Sequence, residues 1–326
     1  MNDPVFDVCG IGSAIVDVIA REDDAFIERL GLRRGAAIVD EAHAVTVYEA
    51  IGTAVEMSGG SAANTVAGIA SFGGRTAFLS RRHADQLGEV FAHDMRANGV
   101  VIPNEAVAEG DPTGRCIVVV TPDGERTMTT ALGTNRHFAS ADLVDDVIAG
   151  SDITFVEGYL YDAPMAKAAI HEAFALAHLS GRRTALSLSD PFCVDRHRSD
   201  FRELVTQHVD ILLANEHEIC SLYEVDTFDE ALQHVHQHTE IAALTRGAQG
   251  AVIVAADEVH VLDAEPVAQV LDTTGAGDQY AAGFLYGITH GFTPAESGRL
   301  GALAAAEVLQ HLGARPERPL KELLPA

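Results

Sequence analysis

The densest run of potentially reactive residues is Asp272-Thr273-Thr274-Gly275-Ala276-Gly277-Asp278, which stands directly before an apolar stretch of small residues with helical character. Glycines at a helix start leave consecutive backbone N–H groups open, and the positive end of the helix dipole attracts anions there. We expect Gly275, Ala276 and Gly277 to form such an anion-binding turn. Asp278 would lie in the first helical turn, where its carboxylate either caps the helix or takes the proton of a hydroxyl that attacks a phosphoryl group.

A second glycine-rich string, Gly59-Gly60-Ser61, leads into Asn64 and a predicted helix at Thr65–Phe72. Glycine lets the backbone come close to a ligand, and an amide side chain offers both a donor and acceptors, which suits a pair of hydroxyls. A flexible loop at the helix start is the alternative interpretation. Asp17 stands among aliphatic residues and needs a partner if it is buried, and a sugar diol is one candidate.

Two further strings follow predicted strands, at the carboxyl ends where sites in α/β proteins form. Asn215 and Glu218 are three positions apart and can share a helical face, an arrangement suited to holding Mg²⁺ through water. The string Thr245-Arg246-Gly247, closed by Gly250, is expected to border a nucleotide.

The composition excludes several classes of function. With 22 Lys+Arg against 48 Asp+Glu, the formal charge of −26 argues against binding nucleic acid or an anionic membrane surface. Neither Lys167 nor Lys321 stands in a Walker-type phosphate loop, and Ile15 occupies the position where a dinucleotide fingerprint beginning at Gly10 needs Gly or Ala. The four cysteines show no CxxC spacing, and neither a secretory leader nor a run of about 20 apolar residues is found. We therefore expect a cytoplasmic protein with reduced thiols.

Short apolar runs alternate with helical patterns along the chain. This alternation predicts an α/β fold: a doubly wound, mainly parallel sheet with helices on both faces. The predicted strands are Phe6–Ile11, Ala36–Val39, Thr76–Leu79, Ile153–Val156, Thr184–Leu188, Ile211–Leu213, Ala242–Thr245 and Ala251–Ala255, and the predicted helices are Gln86–Asn98, Pro164–Leu179, Phe201–His208 and Phe228–His238. The proline-rich tail after residue 312 is predicted to run over the surface.

One region departs from this alternation. Two β-rich runs, Arg115–Val120 and Arg126–Thr130, flank Thr121-Pro122-Asp123-Gly124, whose residues stand in turn order. With Ala36–Val39 they are expected to form a small separate sheet. Such a sheet, from about residues 33–40 and 112–132, could be a lid over an active site; an ordinary edge hairpin is the alternative.

Taken together and in this order, these strings resemble those of the ribokinase-like (PfkB) family of carbohydrate and nucleoside kinases. The likeness covers nearly the whole chain, as far as Gly313-Ala314-Arg315-Pro316. It implies a single ribokinase-like domain over residues 1–326, with a β-sheet lid, ATP as co-substrate, Mg²⁺, and a small-molecule acceptor. It also implies a monomer or a homodimer.

The resemblance assigns roles to individual residues. It implies that Asp278 is the catalytic base, that the turn Gly275–Gly277 is the anion hole, and that Arg126 lies near the transferring phosphate. The residues implied for acceptor hydroxyls are Asp17, Gly59, Gly60 and Asn64, those for Mg²⁺ are Asn215 and Glu218, and those for a monovalent cation such as K⁺ are Asp272 and Thr274.

Within the family, the chain is similar to adenosine kinases. Ser187-Leu188-Ser189-Asp190-Pro191-Phe192 is similar to their Asn-Leu-Ser-x-Pro-Phe, and Ser61 belongs to their variant of the first glycine string. Ser13, however, stands where they usually carry a ribose-contacting Asn. We expect phosphoryl transfer from MgATP to the 5′-hydroxyl of adenosine or a related nucleoside, with Tyr159 or Tyr161 either stacked on a base or packed in the core.

Two alternatives stay open at this point. The first is a sugar kinase of the same family that acts on ribose, fructose or 2-keto-3-deoxygluconate. The second is a nucleotide-binding regulator without catalysis, which would be expected to lack the base or the anion hole.

Overall fold

Within residues 3–122, 125–256 and 258–324, which the computed structural model describes, strands and helices alternate. The strands are β1 (Phe6–Ile11), β2 (Ile15–Arg21), β3 (Gly35–Ile38), β4 (Ala54–Gly59), β5 (Thr76–Leu79), β6 (Val100–Val101), β7 (Gly114–Val120), β8 (Arg126–Ala131), β9 (Ser151–Glu157), β10 (Arg183–Ser187), β11 (Ile211–Asn215), β12 (Ile241–Thr245), β13 (Ala251–Ala255) and β14 (Glu258–Leu262). The α-helices are α1 (Asp24–Leu30), α2 (Glu41–Ala50), α3 (Ser61–Phe72), α4 (Gln86–Ala97), α5 (Asp145–Ala149), α6 (Ala166–Leu179), α7 (Pro191–Gln207), α8 (Glu216–Tyr223), α9 (Phe228–His238), α10 (Ala276–Thr289) and α11 (Pro294–Val308). Short 3-10 helices lie at Gly133–His137, Ser140–Asp142, Gly158–Asp162, Gly247–Gln249 and Leu320–Leu323.

The main sheet has the strand order β14-β13-β12-β11-β10-β9-β1-β5-β6 in the described part of the chain. Its strands are parallel from β6 across to β12, and β13 and β14 are antiparallel additions. Neighbouring side chains on a strand belong to two different apolar clusters, as Val8 and Cys9 of β1 do. Both faces are therefore covered by helices, and the predicted doubly wound α/β fold is confirmed.

The predicted elements agree with the observed ones, with two exceptions among the helices. Four of the predictions have the observed bounds (Phe6–Ile11, Thr76–Leu79, Ala251–Ala255 and Phe228–His238). The helix predicted at Phe201–His208 is wrong in extent: it is the second half of α7, which begins at Pro191 because Asp190 caps it and proline suits the first turn. Similarly, α3 begins at Ser61, four residues before its predicted start.

The predicted small separate sheet is present and is larger than expected. Its strand order is β3-β8-β7-β2-β4, so two strands that sequence reasoning missed, β2 and β4, belong to it. Asp123 and Gly124 of the predicted turn lie outside the described residues. Because β2 leaves the main sheet for this second sheet, Asp17 lies between Cys116 of β7 and Met57 of β4.

Side-chain hydrogen bonds fix the junction between the two sheets. Asn135 accepts a bond from the Ala14 amide (2.8 Å) and donates to the carbonyls of Ala14 (3.0 Å) and Leu132 (2.9 Å). Asp85 accepts bonds from the amide and the hydroxyl of Thr113. These bonds hold the starts of β2 and β7 and the end of β8 together at the edge of the main sheet.

Helices α10 and α11 pack with almost no space between their backbones. A Cβ added at Gly283 of α10 would lie 2.4 Å from the carbonyl oxygen of Leu300. Such contact requires glycine, because a methyl group would have to push the helices apart. No helix in the described ranges is long and apolar enough to span a membrane.

We expect Gly283→Ala to destabilise the protein by on the order of 1–2 kcal/mol. Alanine stabilises an isolated helix by about 1 kcal/mol relative to glycine, but the cost of overpacking the two helices is larger. The matched control is Gly277→Ala in the same helix, where an added Cβ meets nothing within 4 Å. The midpoint of urea unfolding measures both changes. Equal midpoints for Gly283→Ala and the wild type would contradict the close packing.

Candidate active site

A cleft of about 890 Å³ lies where the carboxyl ends of the main-sheet strands face the second sheet. It brings together most of the residues that sequence reasoning selected: Ser13, Asp17, Gly60, Ser61, Asn64, Arg126, Tyr159, Asn215, Glu218, Thr245, Thr274, Gly275, Gly277 and Asp278. The selected residues that do not line it are Gly59, Ala276, Arg246, Gly247, Gly250 and Asp272. A cleft of this volume is at the upper end of the roughly 300–1,000 Å³ typical of small-molecule sites.

The turn before α10 has the open geometry expected of an anion site. Gly275 has φ 76°, a conformation that favours glycine, and a Cβ there would lie 2.5 Å from that of Ala314. In the described structure the amides of Gly277 and Asp278 have no hydrogen-bond acceptor. These N–H groups face the cleft at the positive end of the helix dipole.

The Asp278 carboxylate is directed at helix α3 and does not cap its own helix. One of its oxygens accepts a hydrogen bond from the Ser61 hydroxyl (2.7 Å), and the other accepts one from the Asn64 amide nitrogen (2.9 Å). Burial raises the pKa of Asp278, while these two bonds and the charge of Arg315 oppose that rise. Because both oxygens act as acceptors, the contacts favour the ionised carboxylate, the form that can take up a proton.

Asp17 faces the same cleft from the second sheet. The Gly59 backbone makes room for it, since a Cβ at Gly59 would lie 2.3 Å from an Asp17 carboxylate oxygen. Burial raises the pKa of Asp17 to about 7, with the charges of Arg315 and Arg126 opposing the rise and that of Asp278 adding to it. Among the described residues its carboxylate has no hydrogen-bond donor, so it is available to a ligand.

Arg126 of the second sheet contacts the loop that precedes the anion turn. Its guanidinium lies 2.6 Å from Asp272 and donates to the Thr274 hydroxyl (2.7 Å). Asp272 also accepts bonds from the Thr274 amide and hydroxyl and from the Gly313 amide. Four donors use the roughly four acceptor positions of a carboxylate, so the donor set around Asp272 does not fit a monovalent cation.

Asn215 and Glu218 form a capping box at the start of α8. The Asn215 side chain accepts bonds from the amides of His217 and Glu218, and the Glu218 carboxylate accepts from the Asn215 amide. Burial raises the pKa of Glu218 to about 7, and the neighbouring charges of Asp190 and Asp278 add to the rise. A buried carboxylate that faces other carboxylates across a cleft fits a divalent cation held through water.

The Thr245–Gly250 segment is a tight turn from β12 into β13. The Arg246 amide donates to the Gly250 carbonyl (2.8 Å), and its guanidinium lies over the Phe228 ring at 4.4 Å. Thr245 alone among the selected residues of this segment borders the cleft.

The two tyrosines after β9 have different surroundings. Tyr161 is fully buried, with its ring 4.7 Å from that of Phe201, so it belongs to the core. Tyr159 lines the cleft, and its amide donates to the hydroxyl of Ser189. Phe192 also lines the cleft and is 72% exposed there.

Sequence reasoning missed Glu157, the last residue of β9. It is fully buried, and it accepts bonds from the amides of Ser13 (2.8 Å) and Ala62 (2.7 Å), thereby joining the loop after β1 to the start of α3. Burial raises its pKa to about 7 despite these two bonds. The available signal was a polar residue at the carboxyl end of a predicted buried strand, the kind of signal that also selected Asn215.

Arg315 is the second missed residue. It contacts Asn64 and Ser58 from the chain's tail, although the tail was predicted to lie on the surface. Its neighbours Gly313 and Ala314 are buried, because they pack against the loop that precedes α10. Sequence reasoning noted the string around Arg315 and assigned it no role.

Comparison with known proteins identifies the family of the chain. The family model described as pfkB family carbohydrate kinase matches residues 7–321. A solved adenosine kinase from Sinorhizobium meliloti is 47% identical, with a TM-score of 0.91 and 98% of each chain covered. A solved probable sugar kinase from Rhizobium etli CFN 42 is 43% identical, with a TM-score of 0.92 and the same coverage.

A curated relative, an uncharacterized sugar kinase from Archaeoglobus fulgidus, is 29% identical over 77% of this chain and 98% of its own. The family resemblance read from the strings is thus confirmed. The chain belongs to the pfkB family of carbohydrate kinases, phosphotransferases with an alcohol acceptor and ATP as co-substrate.

Proposed function

We propose that the protein transfers the γ-phosphoryl group of ATP to the 5′-hydroxyl of adenosine or a related nucleoside, with Asp278 as general base. The observation that carries this proposal is the position of the Asp278 carboxylate. Its two oxygens accept bonds from Ser61 and Asn64, and it belongs to the same first helical turn as the open amides of Gly277 and Asp278. A base beside an anion site is what attack of a hydroxyl on a phosphoryl group needs.

In the proposed reaction, Asp17 orients the acceptor by accepting hydrogen bonds from its ribose hydroxyls. Asp278 then takes the proton of the attacking hydroxyl. The open amides of Gly277 and Asp278 and the Arg126 guanidinium share the negative charge spread over the transferring oxygens, whereas the Ala276 amide, expected to take part, already donates to the Thr273 carbonyl. Catalysis is therefore mostly a matter of positioning and electrostatic stabilisation.

The second sheet would act as the lid of this site. Its segments 33–40 and 112–132 carry cleft-lining residues, and Arg126 already contacts the loop before the anion turn. Closure over the acceptor would exclude water and suppress hydrolysis of ATP. Mg²⁺ bound with ATP would be held through water by Glu218 and Asn215 and would neutralise phosphate charge. No role is assigned to a monovalent cation, because the Asp272 oxygens are already engaged.

A nucleoside is favoured over a free sugar by the aromatic lining of the cleft. Tyr159 and the exposed ring of Phe192 offer flat apolar surfaces on which the planar ring of a base can stack. The 47% identity to the Sinorhizobium meliloti adenosine kinase supports the same choice. A free sugar is the second candidate, supported by the 43% identity to a probable sugar kinase and by Ser13, which replaces the Asn usual in adenosine kinases.

The direct test is ADP release with MgATP against a panel of acceptors: adenosine, other nucleosides, ribose, fructose and 2-keto-3-deoxygluconate. We expect turnover with adenosine or another nucleoside, and loss of about 10²–10⁴-fold in Asp278→Asn with ATP binding nearly unchanged. The control is Asp229→Asn at an exposed position in the first turn of α9. Turnover with a free sugar and none with nucleosides would overturn the acceptor assignment, and an active Asp278→Asn would overturn the assignment of the base.

The pH dependence of acceptor use tests Asp17. Because burial raises its pKa to about 7, the fraction of ionised Asp17 falls as the pH drops through neutrality. We expect the acceptor KM to rise below about pH 7, and this rise to vanish in Asp17→Asn, whose KM is high at every pH. An Asp17→Asn variant with the KM of the wild type would remove Asp17 from the acceptor site.

A further inference from the structure

The residues Gly313, Ala314 and Arg315, here called the tail strap, border the candidate active site, and Gly313 and Ala314 line its cleft. The Gly313 amide donates to Asp272 (2.8 Å), and the Ala314 carbonyl accepts from the Gln279 side chain of α10 (2.9 Å). The tail strap thereby binds both the loop before the anion turn and the helix that follows it. Its third residue, Arg315, extends from there to helix α3.

Arg315 is half-buried with its guanidinium directed into the protein, and it lacks an ion pair in the described part of the chain. Its Nε donates to the Asn64 side-chain oxygen (2.8 Å), and one terminal nitrogen donates to the Ser58 hydroxyl (3.2 Å). Among the described residues, the other terminal nitrogen is buried without a partner, and no carboxylate lies within ion-pair distance. Burial lowers the pKa of Arg315 to about 10, which leaves the guanidinium charged at neutral pH. Placing a guanidinium inside the protein without an ion pair costs folding free energy, so we expect Arg315 to have a role other than stabilising the fold.

The Arg315 guanidinium and the Asp278 carboxylate together fix the orientation of the Asn64 amide. A guanidinium can only donate hydrogen bonds, so the amide oxygen of Asn64 must face Arg315. The amide nitrogen then faces Asp278 and donates to its carboxylate (2.9 Å). If the amide were reversed, its oxygen would meet the carboxylate and its nitrogen the guanidinium, and both contacts would be repulsive.

Arg315 also differs in charge from the other groups around Asp278. The charge of Asp278 adds to the raised pKa values of Asp17 of β2, Glu157 and Tyr159 at the end of β9, and Glu218 of α8. The three carboxylates are therefore like-charged neighbours of Asp278 when ionised, and Tyr159 is neutral. Arg315 is the cation that favours the ionised form of Asp278.

We propose that Arg315 is a positioning residue which, by orienting the Asn64 amide, holds the Asp278 carboxylate as an ionised hydrogen-bond acceptor ready to take a proton. The proposal rests on the proposed function of Asp278 as base, and it adds a residue 37 positions further along the chain to the groups on which that function depends.

The test is the pH profile of kcat for Arg315→Met, with Arg318→Met, exposed in the same tail, as the matched control. We expect kcat of Arg315→Met at pH 7 to fall by about 10-fold or more, and its acid limb to move up by about one pH unit, since the carboxylate loses a cation that favours its ionised form. The KM for ATP should change little. Arg315→Lys, which retains a donor-only cation, should recover part of the rate and of the acid limb.

A double-mutant cycle tests the route through Asn64. If Arg315 acts by orienting that amide, then Arg315→Met should lower kcat by less than about twofold in an Asn64→Ala background. A pH profile of Arg315→Met that matches the wild type would overturn the proposal, as would full additivity with Asn64→Ala. Absence of phosphoryl transfer by the wild type would contradict the proposed function instead.

A measurement that needs no turnover distinguishes a failure of the positioning role of Arg315 from a failure of the proposed function. The side-chain amide signals of Asn64 in a ¹⁵N NMR spectrum are identified by their loss in Asn64→Ala. We expect them to shift in Asp278→Asn and to lose that response when Arg315→Met is added. An unchanged response to Asp278→Asn in the Arg315→Met protein would overturn the positioning role, whatever the enzyme's activity.

Discussion

The hydrogen bonds from Ser61 and Asn64 to Asp278 are the constraint on which the rest of the site depends. They join residues 217 and 214 positions apart, so they exist only if α3 and α10 lie side by side with their first turns level. The helices pack closely enough for this because Gly68 of α3 has no side chain; a Cβ there would lie 2.2 Å from the Gln279 side chain. The doubly wound sheet brings the two helix starts to one edge, and the glycine turns before them keep the backbone amides open.

A second constraint is the number of carboxylates in the cleft. Burial raises the pKa of Asp17, Glu157 and Glu218 to about 7. Each raised pKa means that the folded state binds its proton more tightly than the unfolded chain does. The stability that these groups contribute is therefore greatest below the ordinary carboxyl pKa of about 4, and it falls as the pH rises to about 7. The ionised carboxylates of the cleft therefore lower the stability of the folded state near neutral pH, a cost that is common at functional sites. A cation that enters with the phosphates would offset part of the repulsion among them.

Sequence reasoning recovered what is encoded locally. The anion turn, the pair Asn215 and Glu218, and the main-sheet strands other than β6 and β14, which were missed, are contiguous strings whose residue types suffice to predict a helix start or a buried strand. Asp278 was selected for the same reason, since glycines directly before a small-residue helix are visible in a single window. The family resemblance added roles to these strings, and the comparisons confirmed the family.

What sequence reasoning missed depends on contacts between distant segments. The strand β2 was not predicted, and its Asp17 was noted only as a lone aspartate among aliphatic residues, because the partners β4 and β7 are fixed only when the second sheet assembles. Glu157 and Arg315 are ordinary charged residues until their partners are known, and Arg315 lies 251 positions from Asn64. The orientation of the Asn64 amide follows from the donor-only chemistry of Arg315, and no window of sequence contains both.

The most direct test of Asp278 as the base beside an anion site is a crystal structure with a non-hydrolysable ATP analogue and adenosine bound together. We expect the 5′-hydroxyl oxygen to lie within hydrogen-bond distance of the Asp278 carboxylate, about 2.6–3.2 Å, with the γ-phosphate against the open amides at the start of α10 and the ribose diol on Asp17. An acceptor hydroxyl directed away from Asp278, or a γ-phosphate bound away from the start of α10, would contradict this assignment.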